Sequence, residues 1–181
     1  RFNSFEELID YCRDHGFDLL RVVMDVESAY QRATPAELEE RMMKYWARMK
    51  ASVRSGVHSR AKSMFGLSGD GAFRMGLFLK DNKLFDNMYG RAAAYATGVN
   101  EVNARGGVIV ACPTAGSCGI LPGVLVAYQE ATGASDDRIV QALMISGFLG
   151  MLLFSDVSTS GAAYGCQAEI GSAAAMAAAA L

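Results

Sequence analysis

Twelve consecutive residues, Cys112-Pro113-Thr114-Ala115-Gly116-Ser117-Cys118-Gly119-Ile120-Leu121-Pro122-Gly123, combine two thiols, two hydroxyls and three glycines ahead of an apolar stretch. Pro122 suits the first turn of a helix running to about Ala131, so the residues before it form a loop delivered to a helix start. The first amides of a helix have no intrahelical acceptor, and the helix dipole favours negative charge there. Such a loop is built to hold a small carboxylate, with Thr114 and Ser117 as additional donors. The other reading is a plain connector between buried helices, and the residues alone leave both open.

A second polar, glycine-bounded stretch follows: Ser158-Thr159-Ser160-Gly161, then Gly165-Cys166-Gln167-Ala168-Glu169-Ile170-Gly171, opening an alanine-rich helix to Leu181. Cys166 stands at that helix start, where the dipole favours thiolate; this suits a metal ligand or a nucleophile, although burial is the common fate of cysteine. No histidine or lysine lies near either loop, which weakens a Cys–His hydrolase reading. Soft thiolates without histidine point instead to an iron–sulfur cluster. His15 and His58 lack a second histidine or a cysteine pair at ligand spacing, which excludes a histidine-based zinc site; both are read as surface or packing residues. Residues 66–71, Gly-Leu-Ser-Gly-Asp-Gly, form a glycine-rich turn that lacks the lysine of a Walker loop. That turn is either a tight connector or a backbone cradle lining a pocket.

The elements that must position these loops read as helices. Ser4 and Glu7 have capping-box spacing, and the helix they start should stop near Gly16, with Cys12 in its core face. Thr34-Pro35-Ala36-Glu37 starts another, whose apolar face carries Leu38, Met42, Tyr45, Trp46, Met49 and Val53. Its opposite face, with Arg41, Lys44, Arg48 and Lys50, is read as solvated or as a dock for an acidic partner. Nucleic acid is set aside, because the chain is acidic overall and has no aromatic-interleaved basic motif. Phe73–Leu79 and Tyr89–Val102 are helical, the latter ending at Gly106-Gly107. Val108-Ile109-Val110 has strand propensity but no partner strand, so it is an extended entry to the loop. Ser135-Asp136-Asp137 caps a helix through Phe154. Its apolar run, Ile139 to Phe154, is short for a membrane span and reads as a buried helix.

With 181 residues, 51% hydrophobic residues and three prolines, the composition fits one all-α domain. Residues 1–64 supply front helices and 65–181 a pocket-forming core. Four cysteines without short paired spacing argue against a disulfide framework and for a reducing compartment. Charge is uneven: residues 41–69 carry seven bases and no acid, whereas residues 106–181 carry five acids and Arg138 as their one base. A solvated surface needs more charge than that, so the back half is core, pocket or interface.

Three segments together carry a family resemblance: Val99-Asn100-Glu101-Val102-Asn103-Ala104, Ile109 to Gly123, and Ser160-Gly161 with Gly165 to Ser172. They resemble the α subunit, or catalytic domain, of iron–sulfur-dependent L-serine dehydratase. The resemblance implies a largely helical catalytic domain with a [4Fe–4S] cluster as Lewis acid, converting L-serine to pyruvate and ammonia. It implies Cys166 as a cluster ligand, with two further ligands in a downstream Cys-Asp-Pro-Val…Pro-Cys segment that these residues do not include. The substrate-side residues it implies are Ser68 and Gly69 in one loop and Pro113, Thr114, Ala115, Gly116, Ser117 and Cys118 in the other. It also implies a cytoplasmic enzyme of amino-acid degradation and gluconeogenesis, with a β subunit or regulatory domain, a homo-oligomeric assembly, and neither nucleic acid nor membrane as partner. The expectation for this chain is a domain incomplete at its C-terminal end that cannot hold an intact cluster by itself. Phe65 stands where the family carries serine, and Ala163 where an acidic residue is common; these departures support the alternative of a non-catalytic scaffold or partner-binding homologue. A third alternative is a metal-free enzyme using the thiol of Cys118 or Cys166.

Overall fold

The computed structural model describes residues 2–156 and 165–181, and among these every regular element is a helix. Ser4 caps α1 (Phe5–His15) by accepting from the Glu7 amide, and left-handed Gly16 ends it. The reciprocal arm of the expected capping box goes to the Asn3 amide instead. The sequence predicts no element between Gly16 and Thr34, but α2 (Leu19–Gln31) lies there, capped by Asp18. Its third position is Arg21 rather than Glu or Gln, so the capping-box signal is absent. Thr34 and Glu37 form the full box that starts α3 (Pro35–Val57).

The remaining helices are α4 (Gly71–Asp81), α5 (Met88–Ala104), α6 (Ile120–Thr132), α7 (Asp136–Asp156) and α8 (Cys166–Ala180). Val108–Val110 is extended without a strand partner, as expected, and leads into a cis Cys112–Pro113 peptide. The main core joins Trp46, Val99, Leu121, Leu125, Ile139 and Met176, drawn from five helices. α5 is the central element, packed against α3, α4 and α6. Its contact with α3 is backbone on backbone, because a Cβ at Gly56 would overlap the backbone of Gly98.

By length and composition α7 is apolar enough to cross a membrane. It instead packs on α2, α3 and α8, burying Ile139, Val140, Leu143, Phe148 and Leu152. The basic face of α3 departs from the expectation of a solvated or docking surface at Lys50. Its ammonium lies 2.7 Å from both carboxylate oxygens of Asp136 at the start of α7. Trp46 Nε1 and Gln129 Nε2 donate to the same carboxylate, so Asp136 ties α3, α6 and α7 together. Tyr45, expected on the apolar face, is largely exposed.

Candidate functional site

The end of α5 holds both candidate loops. Glu101 accepts from the Gly71 amide at 2.7 Å, at the exit of the glycine-rich turn. Asn103 Nδ2 donates to the Ala115 carbonyl at 2.9 Å, and Asn100 Oδ1 accepts from the Cys118 thiol. Ser68 and Gly69 sit in an exposed turn held by bonds to Ser63 and Lys62, and α5 is what links that turn to the Thr114 loop. Phe65 is exposed on the same turn.

In the second loop, Pro113 and Thr114 are half-buried, Ala115 and Gly116 are exposed, and Ser117 and Cys118 are fully buried. Neither α6 nor α8 has a capping side chain at its N-terminus. The first turn of α8 reaches this loop across 55 residues: the Thr114 hydroxyl donates to Glu169 Oε1. Because Thr114 directs its proton at Glu169, the 3.2 Å contact between Thr114 and Ser117 has Ser117 as donor. The two hydroxyls read as donors to an anion are therefore aimed, in series, at a carboxylate of the protein. Gly116 completes the arrangement, since a Cβ there would stand 2.6 and 2.8 Å from the two Glu169 oxygens.

Cys166 occupies the first position of α8, one turn before Glu169, and is exposed and free. Cys112 and Cys118 are buried instead. Burial, then the neighbouring Cys118, pushes the Cys112 thiol up to about 12; burial and the Glu169 charge push Cys118 up to about 11. Both are neutral thiols at physiological pH. Cys12 packs in the small core between α1, α2 and α7, as expected. His15 and His58 are exposed and bond carbonyls on their own helices. Ser158 to Gly161 and Ala163 lie outside the described residues.

An open cavity of about 920 Å3 lies beside α3 and α7. Apolar side chains of α3 and α7 line it, with Lys44 and Arg48, and it meets the candidate stretch at Cys112, Pro113 and Leu121. It lacks the hydroxyls, the carboxylate and the exposed thiol that the Thr114–Glu169 junction brings together.

Comparison with known proteins agrees with this convergence of motifs. The family model of the serine dehydratase alpha chain matches residues 14–181. The chain belongs to this family. It is 34% identical over 181 residues to the probable L-serine dehydratase alpha chain of Bacillus subtilis, covering 99% of this chain and 60% of that protein. It is 35% identical over 187 residues to the L-serine dehydratase of Streptomyces coelicolor and 34% over 186 residues to L-serine dehydratase 1 of Escherichia coli, covering 99% of this chain and 40% of each relative. The chain thus spans less than two thirds of the length of these serine dehydratases. Glu169 belongs to a block that carries the family resemblance, yet the sequence alone assigns it no role. The signal was its spacing, three residues after Cys166 on one helical face.

A [4Fe–4S] cluster needs several thiolates. Among the described residues no group of three cysteine, histidine or acidic side chains is placed to hold a metal. Cys166 is accessible, whereas the two loop thiols are buried and bonded to carbonyl or amide oxygens. The described residues by themselves do not form a cluster site.

Proposed function

We propose that this chain supplies the substrate loop and one cluster ligand of an L-serine dehydratase, a lyase whose products are pyruvate and ammonia. The observation that carries this reading is the Thr114–Glu169 contact. It joins the two motif blocks on which the family resemblance rests and brings the Cys166 turn to the glycine and hydroxyl loop. The exposed backbone at Ala115 and Gly116, beside the uncapped start of α6, offers amides for the substrate carboxylate. Cys166 contributes one ligand to a [4Fe–4S] cluster, with two further ligands coming from the downstream segment of the full-length protein. The relatives' greater length supports that arrangement, with a β subunit or regulatory domain completing a cytoplasmic enzyme.

The test is pyruvate release from L-serine by the full-length protein, reconstituted anaerobically with its β partner. Pyruvate is expected, and Cys166→Ser is expected to lose both iron and activity. A protein carrying about four irons per chain that releases no pyruvate would sink the reading and favour a non-catalytic scaffold. Activity that persists without iron and is abolished by alkylation would favour metal-free thiol chemistry. The same iron analysis on residues 1–181 alone is expected to find no intact cluster.

A further inference from the structure

Glu169 is a half-buried carboxylate in the part of the chain poorest in positive charge. From residue 106 to residue 181 the one basic residue is Arg138. The ion pairs among the described residues serve other acids, and among those residues no Lys, Arg or His lies within 4.0 Å of Glu169. Its one hydrogen-bond donor among the described residues is Thr114, a neutral hydroxyl. A carboxylate offers about four acceptor positions, so most of its capacity is unused among the described residues. Its two oxygens lie against Gly116, which is exposed, so a ligand seated on the loop backbone meets them. An anion held out of bulk water without a cation is costly, and pairing with a ligand's positive charge relieves that cost.

We infer that the Glu169 carboxylate binds the α-ammonium group of the amino-acid substrate. This rests on the reading of the Thr114 loop as the substrate site, and it adds what selects an amino acid there over a hydroxy acid. Thr114 and Ser117 orient Glu169, and the absence of a side chain at Gly116 leaves its carboxylate uncrowded at the exposed edge of the loop. The substrate supplies the countercharge that the back half of the chain lacks.

The test compares wild type and the isosteric Glu169→Gln variant of the full-length, reconstituted protein by calorimetric titration with three ligands. L-Serine and L-alanine carry the ammonium; 3-hydroxypropionate keeps the hydroxyl and carboxylate but lacks it. Loss of a charge-assisted contact is expected to weaken L-serine and L-alanine about ten- to hundredfold. Binding of 3-hydroxypropionate is expected to change less than about twofold, which also reports that the site still folds. Equal loss for all three ligands overturns the inference. So does unchanged binding with a fall in kcat alone, which would make Glu169 a proton-transfer group, and so does a wild type that binds none of the three. Charge-selective binding without pyruvate release would overturn the serine dehydratase reading and leave this inference standing. Pyruvate release indifferent to Glu169→Gln would do the reverse.

Discussion

Replacing Asp136 by asparagine removes the charge that holds Lys50 while keeping a side-chain oxygen for Trp46 and Gln129. In the native protein Lys50 Nζ lies 2.7 Å from each Asp136 oxygen, and Trp46 and Gln129 each donate at 2.9 Å. The Lys50 contact first, then the Gln129 and Trp46 donors, hold the Asp136 carboxyl down to about 2, against an ordinary value of 3.8. Taken at full value that depression corresponds to about 2.4 kcal/mol. The Asp136 side chain is 43% exposed, so solvent screening discounts it to about 1 kcal/mol. A chain of this size should then lose about 3 °C in Tm at pH 7. The folded-state value lies below the unfolded one, so the stabilisation is present above about pH 4 and is lost as pH falls through about 2. At pH 3 about half of it should remain. The assay is urea unfolding of wild type, Asp136→Asn, Lys50→Met and the double variant at pH 7, 5, 4 and 3. The Asp136→Asn penalty should shrink at low pH and in the Lys50→Met background. A penalty equal at pH 7 and pH 3, and indifferent to Lys50, would refute the assignment of the ion pair as its source.

Gly56→Ala should destabilise by about 1–3 kcal/mol or more in denaturant unfolding, because its Cβ meets the Gly98 backbone, which cannot turn aside as a side chain can. A neutral result would mean that α3 and α5 are not in backbone contact. In the native, cluster-free protein at pH 8, a chromogenic disulfide reagent should titrate one fast thiol, Cys166, and find the other three after unfolding. Cys118, with its thiol near 11, is about one part in a thousand thiolate at that pH, and Cys112 and Cys12 are buried as well. A second thiol reacting at the rate of Cys166 would contradict this. Gly116→Ala should weaken L-serine binding with an unchanged unfolding midpoint, since Gly116 is exposed and its added Cβ would press on the Glu169 carboxylate; native affinity in calorimetry would count against the placement.

Local signals proved legible where the information is local. Ser4, Thr34 and Ser135 each accept from an amide three residues on, and Gly16 ends α1 in the left-handed conformation. The two loops and the helices they enter were visible as glycines and hydroxyls ahead of apolar runs. α2 was not, because an aspartate without a following glutamate is a weak start signal. The contacts that give the site its character join distant residues: Lys50 with Asp136 across 86 positions, and Thr114 with Glu169 across 55. No period or cap encodes such pairs; the packing of α3, α6, α7 and α8 creates them. The charge imbalance that the sequence does display takes its meaning from this packing. A carboxylate in the back half finds almost no cation nearby in sequence. Asp136 meets that shortage by reaching the basic α3, and it becomes a structural tie. Glu169, beside an exposed glycine and a hydroxyl, has no such cation among the described residues, which leaves its charge available to a ligand. One compositional bias thus yields two carboxylates with opposite roles, and helix packing decides which is which.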